Sequence, residues 1–240
     1  MAKLNREWIV QPHQPPERLG KRILTVAGSI VMPLGNFPRR MTVVRLADGD
    51  GAVYSAMPLD PVGMAELEAF ARPAVLIVPH PHHRLDAAAW LARYPHMTVL
   101  APAGAREAVQ EAVPVTHVSA PWGDTAVTFA AVGGTDQREG ALTVRDEGGA
   151  TLILADTVAN VRHPQGIGAN VMARLFGFGV DRPRLPSPVR RSLVADREAL
   201  ARQYRAWAAI ENLSHLIPGH GDVLEGPRPA LLRIAEELER

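Results

Sequence analysis

The sequence contains no cysteine. Disulfide scaffolds, thiolate nucleophiles and cysteine-ligated zinc sites are therefore excluded, and any metal site must use histidine, aspartate or glutamate. The chain also has almost no net charge, because 26 basic residues stand against 25 acidic ones, and only 5% of its residues are aromatic. These features argue against a nucleic-acid groove and against an anionic membrane as partners.

Long apolar runs are missing as well. The longest mainly apolar stretch after the middle of the chain, residues 166–180, carries Arg174 and four glycines. It is shorter than the ~20 residues of a membrane-spanning helix. The first residues include no apolar segment of the kind that secretory signals contain. We therefore expect a cytoplasmic protein with a small-molecule substrate if it is active. Whether it forms a homo-oligomer stays open.

The chain does contain a core of ordinary size, since 47% of its 240 residues are hydrophobic. Residues 1–22 are polar and proline-rich, which predicts a loosely packed N-terminal arm. Residues 23–240 predict a single domain, because short strands alternate there with helices. This β-α-β-α order indicates a partly parallel, buried sheet. The fold class is therefore α/β (α+β), and two β-rich halves with outer helices are compatible with a four-layer sandwich.

Several local patterns make sharper predictions. Asp60 and Asp196 are each expected to begin a helix as N-cap residues. Thr116–Ser119 is predicted as a strand. Residues 181–191 are proline-rich and basic, which predicts a loop that contacts an anionic substrate, covers a cleft or is simply solvated. Phe178 lies just before this loop, where it would line a pocket or belong to the core.

Three histidines follow the apolar run Ala-Val-Leu-Ile-Val-Pro, as His80, His82 and His83. The run reads as a buried strand that stops at the proline. Imidazole is the commonest side-chain metal ligand, and two imidazoles on one short loop can share a cation. A cluster that is only hydrogen-bonded or solvated is the alternative.

Two other apolar segments end in polar residues of the same chemistry. Asp156 follows Thr-Leu-Ile-Leu-Ala directly, and His220 follows Leu-Ser-His-Leu-Ile-Pro-Gly. The glycines on both sides of His220 let the backbone turn sharply there. Ligand sites collect at strand ends in sheets with outer helices. Nitrogen and carboxylate ligands without sulfur suit zinc, iron or manganese.

The His-x-His segment, the strand-Asp-Thr segment and the terminal Pro-Gly-His-Gly together resemble the metallo-β-lactamase-fold superfamily. The resemblance runs from Ile23 to the C-terminus. It implies an αββα sandwich with one or two metal ions between the sheets, and hydrolysis of esters, thioesters, lactams or phosphodiesters. The chain departs from the superfamily's His-x-His-x-Asp-His pattern, because Arg84 and Leu85 replace its last two members. Gly134 stands where a further histidine is expected.

Carried over residue by residue, the resemblance implies the metal ligands His80, His82, Asp156 and His220. Asp156 is also the expected catalytic residue, which would orient the attacking water. Further candidates near the site are His83, Arg84, Asp86 and Asp136. Asp86 competes with a role at a helix start, and Arg84 is expected to occupy the place of a second metal and to bind an anion there or pair with Asp156.

The cofactor is then one zinc ion or none, with iron or manganese as alternatives. The leading interpretation is a metal-dependent hydrolase whose site is depleted and at most mononuclear. The alternative is a non-catalytic binding or structural member of the fold. An iron-dependent redox site would use similar ligands.

Overall fold

The computed structural model describes residues 4–31 and 35–240. A six-stranded sheet occupies the first half of the chain. Its strands are β1 (Glu17–Leu19), β2 (Ile23–Ile30), β3 (Phe37–Arg45), β4 (Asp50–Tyr54), β5 (Arg72–Ile77) and β6 (Thr98–Leu100). They lie side by side in chain order. The strands β1 to β4 are antiparallel, whereas β4, β5 and β6 are parallel.

Three helices cover the outer face of this sheet. They are α1 (Pro61–Phe70), α2 (Ala87–Arg93) and α3 (Arg106–Gln110). Asp60 caps α1 as predicted, because its side chain accepts from the amide of Gly63 at 2.7 Å. Such a cap stabilises a helix by about 1 kcal/mol. Trp90 of α2 is fully buried in the apolar layer between these helices and the sheet.

The second half of the chain supplies seven more strands. They are β7 (Val127–Ala131), β8 (Gly140–Asp146), β9 (Gly149–Ile153), β10 (Ala159–Asn160), β11 (Leu213–Ile217), β12 (His220–Gly221) and β13 (Leu224–Glu225). Five of them form a sheet in the order β13-β11-β9-β8-β7, with β9 and β11 parallel. The short strands β10 and β12 pair separately and in parallel.

Four helices follow in this half. They are α4 (Ile167–Phe176), α5 (Ser187–Ser192), α6 (Arg197–Ala208) and α7 (Arg228–Glu239). Asp196 caps α6 as predicted, since its carboxylate accepts from the Ala199 amide. The prediction of an irregular loop over residues 181–191 is wrong in part, because α5 begins inside it. Prolines favour the first turn of a helix, and Pro188 occupies that place in α5.

Three apolar layers separate four layers of secondary structure. The middle layer lies between the two sheets and includes Tyr54 and Ile77 from one sheet and Leu142, Ile153 and Ile217 from the other. The outer layers join the first sheet to α1–α3 and the second sheet to α6 and α7. This is the αββα sandwich that the resemblance implies. Strands that face a layer on each side must be apolar on both faces, which explains the continuous apolar runs in the sequence.

The N-terminal segment packs more closely than its composition predicts. Trp8 donates to the Leu59 carbonyl and stacks near Trp90, and β1 pairs with β2. Trp8 and β1 therefore anchor this segment to the first sheet, while residues 1–22 as a separate N-terminal arm stay a prediction.

The predicted strand at 116–119 does not form. Only His117 makes an isolated bridge, to Leu100. Across residues 4–31 and 35–240, no helix has the length and apolar character needed to cross a bilayer.

Candidate metal centre

The three neighbouring histidines lie on one tight turn after β5. The chain is extended at His80 and then forms a 3-10 turn over Pro81–Arg84. The amide of His83 donates to the His80 carbonyl oxygen at 2.9 Å. A 3-10 turn has 3.0 residues per turn, so side chains at positions i and i+3 lie on the same side. The turn brings the rings of both His82 and His83 near that of His80, at 4.9 and 6.1 Å between centroids, and of these two only His83 contacts Asp156.

A single buried carboxylate, that of Asp156, gathers three imidazoles. Its Oδ2 lies 2.7 Å from Nδ1 of His80, and its Oδ1 lies 3.2 Å from Nε2 of His83. The same Oδ1 lies 2.8 Å from Nε2 of His220. Donor atoms of His80, His83 and Asp156 all lie within 4.8 Å of one another. We refer to His80, His83, Asp156 and His220 as the imidazole–carboxylate cluster.

His220 is oriented so that Nε2 faces the carboxylate of Asp156. Its Nδ1 donates to the Pro38 carbonyl oxygen at 2.8 Å. A carbonyl oxygen only accepts, so Nδ1 carries a proton and Nε2 of the neutral ring has only a lone pair. That lone pair is repelled by the carboxylate unless a proton or a metal cation lies between them. A carbonyl that holds the far N–H is also the usual support of a metal-ligating histidine.

Close backbone approach brings the two halves of the cluster together. A Cβ atom on Gly219 would lie 2.5 Å from the Ala155 carbonyl oxygen and 2.9 Å from Cε1 of His83. A side chain at this position would therefore push His220 and His83 apart, which explains the glycine before His220. On the other side of His83, the hydroxyl of Ser55 lies 2.7 Å from Nδ1. Ser55 has a φ of +55°, a strained conformation of the kind that functional sites retain.

Burial and neighbouring charges shift the pKa values of the cluster residues in opposite directions. Burial favours a raised pKa for Asp156, but the neighbouring imidazoles lower that pKa well below its ordinary value. Burial favours lower pKa values for His80 and His220, but contact with Asp156 outweighs it and raises both. Burial lowers the pKa of His83. The carboxylate thus attracts protons to the positions where a cation would be bound.

Glu139 holds the backbone on both sides of Asp156, and the sequence analysis did not identify it. It is fully buried before β8, and its carboxylate accepts from the amides of Ala155 and Thr157 at 3.1 Å each. The Thr157 hydroxyl donates to it at 2.8 Å. Burial and the charge of Asp156 raise the pKa of Glu139 to about 7. A glutamate directly before an apolar strand is the sequence signal that could have identified this residue.

Other predicted site residues lie outside the cluster. His82 is exposed and lines the same cavity, with its ring edge-on to that of His80 at 4.9 Å; its role as a ligand stays a prediction. Asp136 is exposed with a positive φ. Asp86 is buried, but it pairs with Arg39 and accepts from Asn5, and its side chain does not cap α2.

The expectation that Arg84 fills the place of a second metal is wrong. Its guanidinium turns toward α3, where it donates to the Ala108 carbonyl and pairs with Glu111 at 2.8 Å. The physical reason is the 3-10 turn, in which consecutive side chains diverge by about 120°. Arg84 therefore points away from its neighbour His83 and from Asp156.

The position of Gly134 is closed by packing. A Cβ atom there would lie 2.2 Å from the Asp196 carbonyl oxygen and 2.6 Å from the Leu200 amide nitrogen at the start of α6, and its φ is +80°. No histidine fits at this position in the present backbone. Among the described residues, His80, His83 and Asp156 offer donor atoms close enough to share one cation.

A cavity of about 320 Å³ opens onto the cluster. Phe37 and Phe178 line it on one side, and Val189 and Leu193 line it beside α5. Residues 188 and 189, at the end of the predicted 181–191 loop, line this cavity, and so does Phe178. The cavity combines an apolar wall with a polar floor, which is typical of small-molecule sites.

The chemistry of the donor set fits a single metal ion. Imidazole nitrogens and a carboxylate oxygen suit zinc, iron or manganese. His80, His83 and Asp156 would hold the ion, because their donor atoms lie within 4.8 Å of one another, and Nε2 of His220 lies 2.8 Å from the same carboxylate.

Comparison with known proteins supports the fold. No protein-family model and no curated protein sequence matches the chain. Solved structures do match. A DIM-1 metallo-β-lactamase exposed to ceftazidime has a TM-score of 0.65 at 13% identity, covering 95% of this chain and 99% of its own. The mono-zinc form of FIM-1 from Pseudomonas aeruginosa has a TM-score of 0.64 at 12% identity, covering 97% and 98%.

A metallo-β-lactamase from Hirschia baltica has a TM-score of 0.60 at 14% identity, and the match covers 95% of this chain and 99% of that one. Identities this low show a shared fold and leave the reaction open. The four-layer architecture and these structural matches agree: the chain has the metallo-β-lactamase fold.

Proposed function

We propose that this protein is a metal-dependent hydrolase with a mononuclear site, in which His80, His83, Asp156 and His220 hold one zinc ion. The observation that supports this proposal most is the convergence of three imidazoles on one buried carboxylate at the floor of a cavity. When bound, the metal would supply a nucleophilic water at neutral pH and polarise the scissile bond. We further propose a small-molecule substrate and a cytoplasmic location, both from composition.

The residues around the metal would have different roles in hydrolysis. Asp156 orients the attacking water, since its two oxygens face the ligand nitrogens on both sides. Ser55 fixes the ring of His83 through Nδ1, and Glu139 fixes the backbone on both sides of Asp156. Phe37 and Phe178 exclude bulk water from the cavity, which strengthens every electrostatic interaction inside it.

A second candidate is a binding protein that keeps the metal and lacks turnover. The packing at Gly134 and the outward direction of Arg84 favour it, because two of the motif's ligand positions are structurally closed. Three protein ligands and a water are sufficient for a catalytic zinc, so the hydrolase remains the proposal that the donor set supports better.

The neighbouring histidines offer a matched test of the metal site. Zinc affinity and metal content are measured for the wild type, His83→Ala and His82→Ala, all purified without chelator. We expect one ion per chain in the wild type. Because His83 lies in the cluster and His82 lies outside it, we expect H83A to weaken zinc binding by about 100-fold or more, and H82A to change it by less than about 3-fold.

Equal zinc affinity in the two variants would contradict the proposed site. Turnover is tested separately with a panel of p-nitrophenyl esters, thioesters, a chromogenic β-lactam and a phosphodiester. Hydrolysis that a chelator abolishes and added zinc restores supports the hydrolase. Tight zinc binding without turnover of any panel member supports the binding protein instead.

A further inference from the structure

Two adjacent arginines of β3 differ in how their charges are compensated. Arg39 forms an ion pair with buried Asp86. Arg40 is only 7% exposed, yet among the described residues no carboxylate lies within 4 Å of its guanidinium. It donates instead to the Gly221 carbonyl at 3.0 Å and to the Thr25 hydroxyl at 3.2 Å, which are both neutral acceptors.

A buried cation without an anionic partner is unfavourable. Proteins pair such charges or place them where a ligand supplies the counter-charge. Burial lowers the pKa of Arg40, and Asp222 and Glu17 oppose this only through their more distant charges. Arginine nevertheless stays protonated in proteins. The uncompensated charge therefore persists in the folded protein and attracts an anion.

Arg40 lies between two cavities. One is the cavity of the imidazole–carboxylate cluster, and the other has a volume of about 270 Å³. We call this second space the polar cavity, because uncharged donors such as Ser29, Asn36 and Gln165 line it. Asp222 is the one carboxylate among its described lining residues, and it lies beyond ion-pair distance from Arg40. The bond to Gly221 also links Arg40 to the residue that follows His220.

We propose that Arg40 binds a carboxylate or phosphate group of the ligand from the side of the polar cavity, while the rest of the ligand extends to the imidazole–carboxylate cluster. The planar guanidinium can hold two oxygens of such a group at once. As an assignment of substrate class this rests on the proposed function, and as an anion site it stands independently. An anionic small molecule thus satisfies a charge that the chain leaves unpaired.

The test compares Arg40→Met with Arg45→Met, a matched loss of charge on the same strand. Binding of inorganic phosphate and of acetate is measured by calorimetry and by thermal unfolding against sodium chloride at equal ionic strength, with and without zinc. We expect phosphate or acetate to bind the wild type and R45M with equal affinity. R40M should weaken that binding at least 10-fold, and Arg40→Lys should weaken it less, because it keeps the charge but loses the planar fork.

The preference between the two probes identifies the anion as a phosphate or a carboxylate. Equal affinity in the wild type and R40M, or no binding of either probe to the wild type, would overturn the proposal. If R40M does not fold, R40K decides by the same comparison, and wild-type affinity in R40K overturns it. Zinc content is measured in parallel: Arg40-dependent binding in a protein without zinc affinity would retain the anion site and refute the proposed metal site.

Discussion

The two sides of the imidazole–carboxylate cluster are built in different ways. Where the donor residues are present, which we call the polar side, polar groups hold them in place: Glu139 fixes the chain around Asp156, and the Pro38 carbonyl fixes His220. Where the superfamily's motif places further ligands, which we call the closed side, packing occupies the positions. Gly134 lies against the backbone of α6, and Arg84 turns toward α3.

In the proposed metal site, this difference would leave room for one ion without an empty space beside it. A lost ligand that left a gap could be restored by one substitution. Here the neighbouring helix and turn have taken the space, so the closed side is part of the packed structure. The polar side keeps its full set of hydrogen bonds, which is costly to maintain in a buried location without a role.

The substitution with the largest expected effect removes the carboxylate of Asp156 from the polar side. Asp156→Ala leaves three imidazoles around an empty position. We expect D156A to lose zinc binding and to lower the free energy of unfolding of the metal-free protein by about 3–5 kcal/mol, the usual effect of removing one member of a buried ion pair. Urea unfolding measures the stability change. Asp222→Ala, in the turn beside β12, is the control and should cost under about 1 kcal/mol; comparable losses in both variants would show that the cluster is not special.

The closed side can be tested by restoring the missing histidine. Gly134→His introduces a Cβ into the 2.2 Å contact with the Asp196 carbonyl oxygen at a φ of +80°. Overpacking and backbone strain together should destabilise the protein by about 3 kcal/mol, with no gain in zinc affinity. Gly123→His is the matched control, because a Cβ there meets no atom within 4 Å. A stable G134H protein with tighter zinc binding would show that position 134 can accept a metal-binding side chain, and it would contradict closure by packing.

The sequence predicted part of the polar side, and the reason is local. Asp156 and His220 each lie three residues beyond the end of a short apolar strand, so strand geometry brings them to the same edge, whereas Glu139 was missed. The αββα sandwich was predicted through the resemblance to the superfamily, whereas strand order and apolar runs alone predicted a partly parallel sheet compatible with four layers.

The position of His83 beside Asp156 depends on the type of turn after β5, which the spacing of the histidines does not specify. The His-x-His pattern assumes an extended loop, in which residues i and i+2 lie together. Pro81 instead starts a 3-10 turn, in which His83 contacts Asp156. A proline directly after His80 is itself a helical signal, and it is the feature of the sequence that indicates a turn here. The closure at Gly134 could not be predicted, because it depends on α6, more than 60 residues later in the chain.

The shifted pKa values in and around the cluster predict how the stability of the metal-free protein changes with pH. Glu139 has its pKa raised to about 7 in the folded protein, so the folded state binds more protons and stability falls as pH rises toward 7. The raised pKa values of His80 and His220 add stability below their ordinary pKa of about 6.5, and this stability is lost as pH rises through the folded values. The lowered pKa of His83 opposes them, but only below about pH 6.5.

We therefore expect the metal-free protein to become less stable between about pH 6.5 and 8, while zinc affinity rises because the ligands lose their protons. Urea unfolding with and without zinc across this range measures the growing difference. Glu139→Gln should flatten the slope of the metal-free protein, and Glu107→Gln on the surface of α3 should leave it unchanged. A metal-free protein that gains stability over this range would contradict the assigned proton positions.

The smallest expected effect comes from restoring the aspartate of the motif. Arg84→Asp removes the contacts to the Ala108 carbonyl and to Glu111, and it adds a negative charge near Glu111. We expect a loss of about 1 kcal/mol in the free energy of unfolding and no second metal ion, because the turn directs position 84 toward α3. Arg84→Ala separates the lost contacts from the added charge. Zinc titration followed by metal analysis decides: a stoichiometry that stays at one supports closure by packing, and a rise to two in R84D would mean that only the missing carboxylate limited the site.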